Sequence, residues 1–186
     1  MRIVVGITGA SGAIYAYTLI SALYQQSVEI EIVASKMGWQ VLEFECGVSR
    51  DDIAKFGTVH DNDDLFAPIA SGSYRCDGMV VVPCSMNTLG AMANGMGDSL
   101  LLRAASVTLK ERRPLLVVPR ETPLSIIQID NMATLARAGG IIMPAAPGFY
   151  SRPTKLSQLV SGMVGRMMDN LGIDNDVAAR WDGGRS

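Results

Sequence analysis

The sequence predicts an α/β domain of three layers: a doubly wound parallel sheet with helices on both faces. Short runs of Val, Ile and Leu, bounded by Gly or Pro, recur along the chain, which is how strands buried on both faces read. Segments with helical spacing of apolar residues separate them, so β and α alternate as a parallel sheet requires. Several runs end in small polar or charged residues, and ligands of an open α/β sheet bind beyond those carboxyl ends.

The first run is Arg2 to Thr8. Gly9-Ala10-Ser11-Gly12 then turns into a helical pattern, Ile14 to Gln26, with Ile14, Leu19 and Leu23 near one face. Strand, glycine turn and helix N-terminus together form a common phosphate cradle. Gly6, Gly9 and Gly12 do not have the G-x-G-x-x-G spacing of a dinucleotide site. A second strand, Val28 to Ala34, ends in Ser35-Lys36, where an NAD site has an acidic residue. The turn therefore fits a mononucleotide phosphate, although glycine turns without any ligand are also common.

Lys36 to Glu45 continues as a helix carrying Trp39, Glu43 and Glu45. Residues 50–70 are polar and irregular, with a short helix around Asp51–Phe56 and the sole histidine, His60, in the acidic loop HDNDD. Ser71-Gly72-Ser73 and Asp77-Gly78 lead into a third strand, Met79 to Val82. The cluster Pro83-Cys84-Ser85-Met86-Asn87-Thr88 then opens a helix, where its hydroxyl and amide groups either cap the helix or hold a ligand's polar edge. Cys84 has no cationic neighbour in sequence and reads as a packing residue.

Asp98 to Lys110 is helical and puts Arg103 and Lys110 on one face. The charged cluster Lys110-Glu111-Arg112-Arg113 breaks at Pro114 into the strand Leu115–Val118. Arg120 and Glu121 stand at its carboxyl end, either as a ligand site or as a surface pair capping the strand. Pro123 to Ala138 reads as a helix, and Gly140 opens the fifth and last strand, Ile141–Pro144. Gly148-Phe149-Tyr150 follows. The final helix, Lys155–Leu171, carries Leu159, Met163 and Met167 on one stripe, and Arg166. The tail beyond is polar apart from Val177 and Trp181, and is expected to dock on a neighbour or fray.

The 186 residues, 48% hydrophobic and 18% charged, suit one domain over 1–186 with a tail from about residue 173. For a monomer this is apolar, and the eleven Met residues fit core filling or subunit interfaces. A net charge of −2 argues against a nucleic-acid partner, and no apolar run reaches the ~18–20 residues of a membrane span. Three cysteines at unrelated spacing indicate neither a disulfide framework nor a zinc site, and a single histidine argues against a histidine-based triad and a His-rich metal site. A cytoplasmic, reducing compartment follows.

The segments GITGASGA, SGS, PCSMNTLGAMANG, RAASVTLKERRPLLVVPRETPL, NM, PGFY and GRMMDNLGI occur in that order over nearly the whole chain. Together they resemble the UbiX family of flavin prenyltransferases, which includes the small partner subunits of phenolic-acid decarboxylase systems. The resemblance implies a flavodoxin-like (Rossmann-like) sandwich assembled as a dodecamer. It implies metal-independent transfer of a dimethylallyl group from dimethylallyl monophosphate to N5 and C6 of reduced FMN. The product, prenylated FMN, is the cofactor of UbiD-type decarboxylases.

By the same resemblance Gly9, Ala10, Ser11, Ser35, Ser85, Met86, Asn87, Thr88 and Arg120 contact FMN. Arg103, Lys110, Arg120, Tyr150 and Arg166 hold the donor phosphate. Glu45 and Glu121 line the reaction centre, with Ser11 and Lys110 also in catalytic positions. The chain departs from the family pattern at Ser106, where an acidic residue is common, and at Gln128, where a His is frequent. Asn87 replaces a more usual Lys or Gly, and DDLFAP lacks a Trp found in some members. The alternatives are a non-catalytic FMN carrier and a flavin-dependent cysteine decarboxylase. The latter shares a motif like Ala93-Asn94-Gly95 but uses a His at its reaction centre.

Overall fold

In a computed structural model, which describes residues 1–178, 180, 181 and 183, six strands form one parallel sheet. They are β1 (Arg2–Ile7), β2 (Glu29–Ala34), β3 (Thr58–His60), β4 (Gly78–Cys84), β5 (Leu115–Pro119) and β6 (Ile141–Ile142), ordered β3-β2-β1-β4-β5-β6. The helices are α1 (Ala13–Gln25), α2 (Lys36–Cys46), α3 (Arg50–Ile53), α4 (Met86–Ala93), α5 (Leu100–Lys110), α6 (Ile126–Arg137) and α7 (Leu156–Asn170). None of them is long and apolar enough to cross a membrane among the described residues.

Alternate residues of each central strand enter opposite cores, as a period of two dictates. Ile3, Val5, Val80, Val82, Leu116 and Val118 pack with α1 and α7, whereas Val4, Met79, Val81, Leu115 and Val117 pack with α4 and α5. This is the three-layer doubly wound sandwich. The five strands legible in the sequence run in the flavodoxin-like order 2-1-3-4-5. The sixth, β3, extends it to 3-2-1-4-5-6, and in both counts the chain departs in opposite directions from between β1 and β4.

β3 corrects the sequence reading twice. The stretch expected to be irregular contributes a strand, and His60 is the last residue of that strand rather than part of the acidic loop. Three residues on a sheet edge carry almost no periodic signal, and pairing with Glu31–Val33 makes the strand. β6 is shorter than expected, and Ile141 is partly exposed. α6 starts at Ile126 instead of Pro123 because Ser125 and Gln128 form a capping box, each side chain satisfying the other residue's N–H. Gln128, a departure from the family pattern, has its role there.

The described tail residues fold back onto α7: Asn175 Nδ2 donates to the Gly165 carbonyl at 3.2 Å. Positions 179, 182 and 184–186, within the expected tail, lie outside the described residues.

α2 crosses close to the end of β1. A Cβ on Gly38 would stand 2.5 Å from the Ile7 carbonyl oxygen. Gly38→Ala must push backbone from backbone and is expected to cost about 1–3 kcal/mol, read as a lower urea midpoint.

Candidate functional site

The carboxyl ends of β1 and β4 are stapled together by Thr8, a buried residue just past β1. Its hydroxyl donates to the Pro83 carbonyl at 2.8 Å and accepts the Ser85 N–H at 2.7 Å. Both backbone ends of the topological switch point are thereby held. Sequence reasoning passed over Thr8, although a Thr directly before the glycine turn was the available signal.

From this point three helices open: α1 after β1, α2 after β2 and α4 after β4. Their N-termini bring unsatisfied N–H groups and positive dipole ends to the same edge of the sheet. Ser35 Oγ caps α2 by accepting the Gly38 N–H at 3.0 Å, and Ser85 Oγ caps α4 by accepting the Thr88 N–H at 3.3 Å. Ser85 and Thr88 hydroxyls are 3.1 Å apart. Of the two roles the sequence left open for this segment, the capping one is filled. Met86 and Asn87 lie in the first turn of α4.

The turn Gly9–Gly12 lies against α2. A Cβ on Gly9 would meet Met37 Cβ at 2.6 Å, and Gly12, with φ of 107°, is a left-handed N-cap without a side chain. The missing cap comes from α2: Glu45 accepts the N–H groups of Gly12 at 2.8 Å and Ala13 at 2.9 Å. Burial works to raise the Glu45 pKa. Hydrogen bonds from Ser11, Gly12 and Ala13, with the charge of Arg120, outweigh it and hold the carboxyl below its ordinary value. This corrects the expected cradle: a carboxylate already occupies the helix end that was assigned to a phosphate.

Arg120 reaches the same turn, its Nε donating to the Ser11 carbonyl at 3.2 Å. Ser11, Glu45 and Arg120 are therefore brought together from three separate segments. Glu121, beside Arg120, is exposed and accepts the N–H of Thr122 at 3.0 Å. Next to Arg120 the Ala145 N–H donates to the Pro119 carbonyl at 3.0 Å. Met143 and Pro144, just before Ala145, line a cavity of about 540 Å³ together with Tyr150, Arg166, Asp169 and Trp181 among others. Tyr150 and Trp181 meet edge to face with ring centroids 5.6 Å apart.

Arg103 and Lys110 are not part of this cavity. They lie on α5, which packs on the opposite face of the sheet from α7. Arg103 Nε donates to the Ala70 carbonyl at 3.0 Å, and Lys110 pairs with Glu111 beside Gly72. One chain thus divides the five cations and phenols assigned to the phosphate between two faces.

His60 lies outside the site, its Nε2 2.6 Å from Glu31 in the second core. Cys84 is completely buried, and desolvation pushes its thiol pKa far up, so it is inert packing. Among the described residues no group of acidic, His and Cys side chains is arranged to hold a metal.

The flavoprotein family model matches residues 1–169. The flavin prenyltransferase UbiX of Methanocaldococcus jannaschii is 43% identical over 182 residues, covering 97% of this chain and 98% of that protein. The crystal structure of AnUbiX (PadA1) in complex with FMN and dimethylallyl pyrophosphate superposes with a TM-score of 0.96 at 43% identity, covering 98% of this chain and 97% of that one. A dodecameric FMN-dependent UbiX-like decarboxylase from Escherichia coli O157:H7 does so with a TM-score of 0.96 at 42% identity, covering 98% and 100%. With more than 40% identity and near-complete coverage on both sides, the chain belongs to the flavoprotein family and, within it, to the UbiX flavin prenyltransferases.

Proposed function

We propose that this chain transfers a dimethylallyl group from dimethylallyl monophosphate to N5 and C6 of reduced FMN. In this reading it works in the cytoplasm, and the prenylated FMN passes to a UbiD-type decarboxylase. The observation that carries the reading is the convergence of Arg120, Ser11 and Glu45 at the switch point, with the Tyr150–Arg166 cavity opening beside it. The three free cysteines suit a reducing compartment.

The residues present fit a flavin. The missing Cβ at Gly9 lets α2 pack against the turn, which brings Glu45 to neutralise the N-terminus of α1. The N-termini of α2 and α4 remain for an anionic group, at Ser35 and at Ser85–Thr88. Ala10 and Ser11 border the ring. Reduced FMN supplies nucleophilic N5 and C6 when bound.

The chain's own work is electrostatic and positional. Breaking the allylic C–O bond leaves a phosphate dianion and an electron-poor allyl group. In this reading Arg166 and the Tyr150 hydroxyl, which line one cavity, and Arg120 at the neighbouring strand end stabilise that dianion, and preorganised charge of this kind is often the largest catalytic contribution. Glu45, kept ionised at the helix end, faces the positive allyl group. Glu121 orients the ring edge and relays its proton. Holding both molecules at reacting distance supplies much of the remainder.

Lys110 and Arg103 serve the cavity of a neighbouring copy in a homo-oligomer, since their own chain turns them away from it. Exposed apolar side chains at Ile126, Ile127 and Phe149 (68%, 69% and 70%) supply surface for such contacts. The dodecameric state of the E. coli relative supports this reading.

The test is anaerobic incubation with reduced FMN and dimethylallyl monophosphate or diphosphate, followed by mass analysis of the released flavin. The expected result is a gain of one five-carbon unit with the monophosphate, lost in Arg166→Ala. Flavin released unmodified with both donors would leave an FMN carrier as the better reading.

A further inference from the structure

Asp169 stands one helical turn beyond Arg166 on α7 and is engaged from three sides. Arg180 Nη2 donates to its Oδ1 at 2.9 Å and Arg180 Nη1 to its Oδ2 at 3.3 Å. Asn175 Nδ2 donates to Oδ1 at 3.0 Å, and Arg166 Nη1 stands 3.7 Å from Oδ2. Arg180 also donates to the Asn175 carbonyl at 3.0 Å, closing the tail on itself.

The residue after Arg180 is Trp181, which packs edge to face on Tyr150. Asn175, Ala178, Arg180 and Trp181 all form wall of the cavity that holds Arg166. The strap is thin. Among the described residues Ile173 is the last buried one, Val177 packs partly buried against the core under α7, and Trp181 remains 64% exposed, so beyond Val177 the polar contacts to Asp169 set where the strap lies. An exposed ion pair is a weak clasp, and a weak clasp suits a wall that has to part to admit a donor.

We infer that Asp169 is a positioning residue: its pair with Arg180 seats the carboxy-terminal strap so that Trp181 closes the Tyr150–Arg166 cavity to water. The inference rests on the prenyl-transfer reading. Water is the competitor there. If its oxygen bonds to the allyl carbon as the C–O bond breaks, the electron pair leaves with phosphate. One water proton goes to the phosphate, and the products are dimethylallyl alcohol and hydrogenphosphate. Excluding water protects the transfer. The 3.7 Å separation leaves Arg166 without a committed hydrogen bond to Asp169, oriented yet available to the donor phosphate.

The experiment uses the full chain with Trp39→Phe, so that Trp181 is its only tryptophan. Asp169→Asn, Arg180→Gln and the double variant are compared with that parent. Acrylamide quenching reads the seating of Trp181, and the ratio of dimethylallyl alcohol to prenylated flavin reads water exclusion. Each single variant is expected to raise both by about two- to fivefold, the range that loss of one exposed ion pair produces. The double variant should do no more than the worse single, because both remove the same pair.

Quenching that rises while the product ratio stays constant would overturn the water-excluding role. Quenching unchanged in both single variants would overturn the clasp. If the parent forms no prenylated flavin, prenyl transfer is what fails, and the clasp is decided by quenching alone. Should Asp169→Asn fail to fold, Arg180→Gln carries the comparison, since Arg180 is exposed.

Discussion

Arg120→Ala is expected to lower kcat/KM for prenyl transfer by about 10²–10³-fold, the usual consequence of removing one preorganised donor aimed at developing charge. Arg120 donates to the Ser11 carbonyl at the switch point, and it follows Pro119, whose carbonyl accepts the N–H of Ala145, the residue after Pro144 in the wall of the Tyr150–Arg166 cavity. Arg120→Lys should recover only part of the rate, because an ammonium has its donors on one atom and lacks the planar fork that keeps Nε on the turn while the Nη groups face phosphate. Stability should hardly change, since the side chain is exposed and among the described residues makes that one protein hydrogen bond. Single-turnover formation of prenylated flavin, read beside a thermal midpoint, separates the two effects. A rate within a few-fold of the parent would remove Arg120 from the reacting centre.

The largest loss of stability is expected from Glu31→Ala, away from any chemistry. Glu31 is 5% exposed in the second core. Its Oε2 is 2.6 Å from His60 Nε2, its Oε1 accepts the Tyr74 hydroxyl at 2.5 Å, and Arg2 Nε stands 3.5 Å away. Burial acts to raise the Glu31 pKa, and the hydrogen bonds from His60 and Tyr74, with the charges of His60 and Arg2, bring it below its ordinary value. The Tyr74 hydroxyl, donating to Glu31, is correspondingly pushed up to about 12.

Removing the carboxylate strands these partners and should cost about 3–5 kcal/mol, as for other buried pairs broken on one side. The pH dependence follows from the direction of the shift. A carboxyl with a lowered folded pKa contributes fully above its unfolded value of about 4.5 and loses that contribution as pH falls through the folded value. Urea unfolding at pH 7 should show the largest gap between parent and Glu31→Ala, and the gap should narrow below pH 4.5. A constant gap across that range would mean that the loss is one of packing only. Activity at saturating substrate should survive, because Glu31 is remote from the switch point.

The local chemistry of the chain determined a good deal. Alternating apolar runs and helical periods set the sandwich, since a strand buried on both faces and a helix buried on one have different apolar periods. Polar residues at strand ends located Ser11, Ser35, Ser85 and Arg120, because parallel strands all end on one edge. Gly9 was legible as a tight turn, and the capping residues Ser35 and Ser85 as helix starts.

Other features depended on partners distant in sequence, and only the tertiary structure decided them. β3 exists because β2 offers it an edge. Glu45 caps α1 only because α2 crosses the glycine turn. His60 is drawn inward by Glu31, and Asp169 finds Arg180 after the tail reverses. Lys110 and Arg166 were assigned to one phosphate, yet α5 and α7, which carry them, cover opposite faces of the sheet. A periodic pattern reports which face of its own element is buried. It carries no information on which distant side chain meets it there, and that is settled by strand order and by helix packing across the sheet.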